Sequence, residues 1–148
     1  MGTYTLDDLT DWGRVLDELK ELKRLHLLDE YQDGLKRILR YRWNWRLREC
    51  ALQCAKEVAL PRDDLIEEVC SIMCDEGSYT ELRMLAAETL GHLARARLGK
   101  AEGMPSFKGV SIPEKMRQLF AAPVSPLLRQ KLVDVFKEVT ATEMVRDE

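Results

Sequence analysis

Glu81-Leu82-Arg83-Met84-Leu85-Ala86-Ala87-Glu88-Thr89-Leu90-Gly91-His92-Leu93 is the stretch that decides the fold class. Leu82, Leu85, Ala86, Leu90 and Leu93 recur at helical spacing and so gather on one face of a helix. Two alanines and a glycine on or beside that face let a neighbouring helix approach closely. The pattern returns before and after this stretch, and that repetition predicts stacked helices.

Outward from it, the helical periodicity covers most of the chain. Towards the N-terminus, Asp75-Glu76-Gly77-Ser78 ends a preceding helix that opens at Asp63 or Asp64 and carries Leu65, Ile66, Val69, Ile72 and Met73. Before that, a helix from about 45 to 59 is stopped by Leu60-Pro61. A helix of about 30–41 buries Tyr31, Leu35, Ile38 and Leu39, with Asp29 as its N-cap. The first helix, within 5–28, begins like a capping box at Thr5 and Asp8. It turns Leu6, Leu9, Trp12, Leu16, Leu19, Leu22 and Leu25 to one side. Towards the C-terminus, the segment 99–112 holds three of the eight glycines and a proline, and reads as a loop. Ser111-Ile112-Pro113-Glu114 then caps a sixth helix. After a turn from Pro123 to Pro126, the last helix buries Leu128, Leu132, Val135, Phe136 and Val139, and frays beyond Thr142.

The bulk properties narrow the class. A chain of 148 residues suits one domain. With 45% hydrophobic and 33% charged residues it has the composition of a globular protein, which excludes whole-chain disorder. Five prolines and long uninterrupted periodic runs predict an all-α fold of about seven helices. A net charge of −3 supplies no global attraction to nucleic acid or to anionic lipid. No apolar run approaches the ~20 residues that span a bilayer. Met1-Gly2 is followed by neither a signal-peptide pattern nor a good myristoylation context, given Asp7 and Asp8. An intracellular, soluble, cytoplasmic protein with no membrane partner is the expectation.

Cys50/Cys54 and Cys70/Cys74 are two i,i+4 pairs, each on one face of its helix. Both continue apolar stripes, so core packing is the primary reading. A four-thiolate zinc site would need the two helices to face each other, and the spacing is not that of a zinc knuckle. Disulfides have no oxidising compartment to favour them. No metal and no cofactor is assigned.

The second helices of successive hairpins align. Leu47-Arg48-Glu49-Cys50-Ala51-Leu52, Leu82-Arg83-Met84-Leu85-Ala86-Ala87 and Leu128-Arg129-Gln130-Lys131-Leu132-Val133 share one register. Each has an apolar residue, then arginine, then apolar residues three and four positions later. The arginines are 35 and 46 residues apart, and the 99–112 loop accounts for the longer step. Two helices per unit at such a period predict a helical solenoid.

In these segments the chain resembles the HEAT/armadillo-like α-helical repeats. The turn Asp75 to Ser78 before Leu82-Arg83, and Pro123-Val124-Ser125-Pro126 before Leu128-Arg129, fit that pattern; Tyr41-Arg42-Trp43-Asn44-Trp45 departs from it. The resemblance implies one domain over 1–148, arranged as a right-handed superhelix. Residues 5–28 would form a capping helix, 29–60, 62–98 and 113–142 three repeats, and 99–112 the loop. Three units are few enough to be a piece of a longer array. The resemblance further implies a scaffold or adaptor that binds partners on its stacked second helices. In that setting Arg48, Arg83 and Arg129 would tie neighbouring turns together.

Candidate binding residues concentrate in 36–48. Lys36, Arg37, Arg40, Arg42, Arg46 and Arg48 occur there with no acid until Glu49, interleaved with Tyr41, Trp43 and Trp45. Tryptophan, tyrosine and arginine dominate protein hot spots. Arginine beside exposed aromatics also serves nucleic acid, by stacking on bases and holding phosphates. The tryptophans could equally plug the hairpin turn. Arg40, Arg42, Trp43, Trp45 and Arg46, with Arg83 and Glu88 on the ridge, are the partner-binding candidates. A protein partner is expected first, and nucleic acid is the alternative. Asp63, Asp64, Glu67, Glu68, Asp75 and Glu76 form an acidic counterpart that reads as a solvated face, or as a match for the basic segment of another molecule.

No catalytic constellation is legible. His26 and His92 have no nucleophile or metal ligand at useful spacing, and Gly99-Lys100 lacks the rest of a phosphate-binding loop. Trp43, Trp45 and Asp75 are the weak candidates for chemistry on DNA. The expectation is a non-enzyme with no small-molecule substrate.

Overall fold

In the computed structural model, residues 4–100 and 102–147 are described, and the Met1-Gly2 motif lies outside them. The fold is all-α: α1 (Trp12–Arg24), a 3-10 turn (Leu28–Tyr31), α2 (Gln32–Arg40), α3 (Trp45–Ala55), α4 (Asp63–Cys74), α5 (Thr80–Gly99), α6 (Ile112–Ala121) and α7 (Pro126–Asp147). A two-stranded antiparallel ribbon, β1 (Ser106–Phe107) and β2 (Val110–Ser111), precedes α6.

Three antiparallel hairpins, α2–α3, α4–α5 and α6–α7, carry the core, and their helices lie in two layers. The second layer is α1, α3, α5 and α7, each packed on the next. Cross-links between them rise together in number. Cys54 Sγ faces Leu19 O at 3.9 Å, Thr89 Oγ1 donates to Leu52 O at 3.0 Å, Glu88 pairs with Lys131 at 3.5 Å, and Arg95 pairs with Glu138 at 3.8 Å. Trp45 against Tyr79, and Leu16 with Trp45 on the groove between α1 and α3, give the first two pairs a second, earlier point, so all four helices run in the same direction. Gly91 sits where α5 meets α7: a Cβ there would lie 2.6 Å from Val135 Cγ1, so the missing side chain sets that approach. In the first layer α2 packs on α4, whereas the ribbon contacts both α4 and α6.

Each hairpin is closed by the same hydrogen bond. Arg48, Arg83 and Arg129 each occupy the fourth position of their helix. Their Nε atoms donate to the carbonyls of Leu39, Met73 and Phe120, at 3.0, 2.9 and 3.1 Å. Each acceptor is the last-but-one residue of the preceding helix, whose final carbonyls have no intrahelical donor. Burial lowers the basicity of the Arg48 guanidinium, with Arg42 acting the same way and Asp75 opposing both.

The segment 5–11 is not helical. Thr5 Oγ1 and the Asp8 amide donate to Asp7, and Thr10 donates to Asp8 from both its amide and its hydroxyl. Such local side-chain bonds compete with the helix ladder. Leu6 turns to a φ of 51°, and Arg37 donates to the carbonyls of Thr5 and Leu6. Asp29 caps no helix: its carboxylate accepts from the amides of Ala59 and Leu60, and so anchors the α3–α4 linker. Gln32 adds bonds to Leu60 O and from the Arg62 amide. That linker begins at Lys56, which shortens the third helix.

The 99–112 loop contains structure that glycine and proline content alone did not reveal. Lys108 and Gly109, both at positive φ, form a two-residue turn between the paired Phe107 and Val110. Phe107 is buried. Ser111 then caps α6 by accepting from the Glu114 amide. The last helix continues past Thr142 to Asp147. Among the described residues no helix is long and apolar enough to cross a membrane.

Candidate functional site

Because the four second-layer helices are parallel, their N-termini share one edge of the molecule. Each brings an exposed large apolar side chain to that edge. Trp12, Trp45 and Leu127 stand on the first turns of α1, α3 and α7, at 46, 52 and 66% exposure, and Tyr79, immediately before α5, is 41% exposed. Trp45 and Tyr79 meet edge to face, with ring centroids 6.4 Å apart.

Trp43 is the most exposed of all, at 87%. The residues on either side of it are engaged within the fold. Asn44 caps α3 by accepting from the amides of Arg46 and Leu47, and Arg42 pairs with Asp75 at 3.1 Å. Asp75 in turn accepts from the Gly77 amide and the Ser78 hydroxyl. The Ser78 bond, then Gly77 and Arg42, hold the Asp75 carboxyl below the usual carboxylate range, against the opposing effect of burial. The turn reading for the tryptophans therefore fails for Trp43, whose side chain stands in solvent. Trp45 is divided: one edge meets Tyr79, and the Arg46 guanidinium lies 5.4 Å from its ring centroid.

Trp45 and Arg46 also border a groove of about 380 Å3 between α1 and α3, together with Leu16, Lys20, Glu49, Cys50 and Gln53. A second hollow, on the other side of Trp45, is lined by Arg42, Arg48, Ser78, Tyr79 and Leu82.

The basic segment is largely matched within the molecule. α2 and α4 lie parallel, and Lys36 pairs with Asp64, Arg40 with Glu68 and Arg42 with Asp75. The acidic face of α4 thus meets the basic face of the same chain. Arg37 is taken up by backbone carbonyls and Arg48 by Leu39 O. Arg46 is the cation of this segment that stands beside an exposed aromatic rather than an acid. Salt bridges this exposed add little stability, but they lower the local potential available to a phosphate backbone.

The ridge candidates part company. Arg83 is buried, its Nε committed to Met73 O, so it belongs to the framework and offers no surface to a partner. Glu88 remains partly exposed and bridges Lys56, just after α3, and Lys131 of α7.

All four cysteines are free thiols. Cys50/Cys54 faces α1, through Leu19 and Lys20, whereas the surroundings of Cys70/Cys74 include Lys108 and Lys115. Among the described residues no three His, Cys, Asp or Glu side chains are grouped to hold a metal. Sequence reasoning did not find the common edge. The signal was present, since Trp12, Trp45, Tyr79 and Leu127 all precede or open second helices, but their alignment needs the parallel layer. No family model matches the chain, and no curated protein or solved structure matches it either.

Proposed function

We propose that this chain is a non-catalytic interaction module, a short HEAT/armadillo-like solenoid that binds a protein partner at the Trp43, Trp45 and Arg46 edge. The repeated arginine-to-carbonyl bond and the parallel second layer support the solenoid reading, because they recur hairpin by hairpin. A stack of this kind makes contacts mainly between neighbours and exposes extended surfaces for binding.

The observation that carries the binding site is Trp43: a large indole in water, between Arg42, which pairs with Asp75, and Asn44, which caps α3. An exposed indole has few rotatable bonds to order on binding and buries a large area, which is how hot spots act. Arg46 and Trp45 extend the patch, with Arg40 and Arg42 at its rim. The pairing of Lys36, Arg40 and Arg42 with acids favours a protein over nucleic acid, which needs many uncompensated cations.

The test is affinity capture from cell lysate, with and without nuclease, against a Trp43→Ala/Arg46→Glu variant shown to be folded. Proteins retained through nuclease and lost with the variant support the reading. Capture that vanishes with nuclease, and falls steeply with salt, replaces it with nucleic-acid binding. Equal capture by both baits removes this edge as the site.

A further inference from the structure

The three arginines that close the hairpins differ in what their terminal nitrogens do. Arg129 Nη2 donates to Ala122 O at 3.2 Å. Arg83 Nη2 is sealed inside the fold. Arg48 is only 7% exposed, yet among the described residues its one hydrogen bond is that from Nε to Leu39 O, at 3.0 Å. Its two terminal nitrogens donate to nothing, and neither is sealed off as Arg83 Nη2 is. The side chain lines the hollow of about 170 Å3 between the starts of α3 and α5, with Arg42, Trp45, Ser78 and Tyr79. We propose that this hollow is the carboxylate subsite of the docking edge, in which Arg48, with Arg42 beside it, holds an acidic side chain of the protein partner. The proposal rests on the docking reading above and adds the chemistry of what docks.

A guanidinium withdrawn from bulk water loses hydration that only a hydrogen-bond acceptor restores. With Nε committed to the hairpin, the end of the fork remains, and two parallel N–H bonds from that end match the two oxygens of a carboxylate. No acid lines the hollow. Asp75, behind it, is already engaged by Arg42, the Gly77 amide and the Ser78 hydroxyl. Counting Arg42 and Arg48 against Asp75 leaves one uncompensated positive charge, which one carboxylate neutralises. Trp45 and Tyr79, edge to face, give the hollow aromatic walls for the methylene stem or for an apolar neighbour of the acid. A nucleic-acid backbone calls instead for a row of unpaired cations, and Lys36, Arg40 and Arg42 are each paired.

The test uses the intact protein and a defined probe. Short random peptides displayed on phage are selected on it, and the enriched sequences are synthesised and titrated by fluorescence anisotropy. They should carry an aspartate or glutamate beside an aromatic or leucine residue. Changing that acid to its amide should weaken binding to the wild type by about tenfold or more. On Arg48→Gln the acid and amide peptides should bind alike. Arg48 also closes its hairpin, so circular dichroism and urea midpoints accompany that variant. Arg42→Gln, at an exposed side chain, supplies a second reading: it should shrink the acid-to-amide difference, whereas Arg46→Gln should leave it intact.

Acid and amide peptides that bind the wild type equally overturn the proposal. So does an acid whose effect disappears with Arg46→Gln instead, or a selection that enriches nothing over a blank surface. Single-stranded DNA that displaces the peptides, with an affinity falling steeply with salt, replaces the carboxylate by phosphate and overturns it too. Trp43→Ala reads the docking edge on the same peptides. Binding lost with Trp43→Ala but indifferent to the acid rejects the carboxylate subsite and leaves the edge standing, and binding indifferent to both removes the two together.

Discussion

Arg83 Nε lies 2.9 Å from the carbonyl oxygen of Met73, and both groups are buried. The bond fastens the start of α5 to the end of α4 at a point solvent does not reach. Arg129 makes the equivalent bond to Phe120 O at 3.1 Å, but on the surface. One interaction thus occurs in two environments, and the difference between them is measurable.

Replacing Arg83 by methionine keeps much of the side-chain bulk and removes the donor. The buried carbonyl and the lost charge-assisted bond should cost about 2–3 kcal/mol in urea denaturation. Arg129→Met should cost less than about 1 kcal/mol, because water replaces the donor there. Equal losses at the two sites would show that burial does not set the value of this bond.

Gly91→Ala places a methyl group 2.6 Å from Val135 Cγ1, closer than two carbons can stand. In a free helix the same change would gain up to about 1 kcal/mol of propensity. Overpacking between α5 and α7 should outweigh that gain and leave a net loss of about 1–2 kcal/mol. Adding Val135→Ala makes room, so the double variant should show a coupling of at least about 0.5 kcal/mol in a cycle of urea midpoints. Additive losses would mean that the helices simply move apart.

Asp75 supplies a pH signature. Its carboxyl is held below its ordinary value when folded, first by the Ser78 hydroxyl and then, against burial, by the Gly77 amide and Arg42. A depressed folded value means a stabilising contribution that is fully present above the unfolded carboxyl value of about 3.9. It is lost as pH falls through the folded value. Asp75→Ala should therefore be less stable than wild type by about 1 kcal/mol at pH 7. The gap should narrow as pH falls below about 4. Urea curves at pH 7, 5 and 3 test this, and a gap that stays constant down to pH 3 would put the cost in the turn backbone instead of the charge.

The all-α class was legible because Leu82, Leu85, Ala86, Leu90 and Leu93 keep helical spacing, and in the structure all five are buried. The start of α1 was not: Thr5 and Asp8 look like a capping box, but Asp7, Asp8 and Thr10 satisfy one another locally and Leu6 takes a positive φ. Charge partners were hidden for a different reason. Arg40 and Glu68 are 28 residues apart, and only the parallel packing of α2 on α4 joins them. The candidate segment was visible as composition, but not the fate of each side chain. Arg83 and Arg46 are both arginines beside apolar residues in sequence, yet one is bound inside a hairpin and the other stands over an exposed indole.

Trp43 and Trp45 should separate stability from binding. Trp43 is 87% exposed, so Trp43→Ala should move the urea midpoint by no more than about 0.5 kcal/mol in equivalent stability. Trp45 meets Tyr79 edge to face and also borders the α1–α3 groove, so Trp45→Ala should cost about 1 kcal/mol. Partner capture should fall for both variants, and at Trp43 it should fall without any loss of folding. An indole whose removal leaves the fold untouched serves no packing role within the molecule. If Trp43→Ala instead destabilises the protein by more than about 1 kcal/mol, the side chain packs in solution, and the turn-packing reading returns.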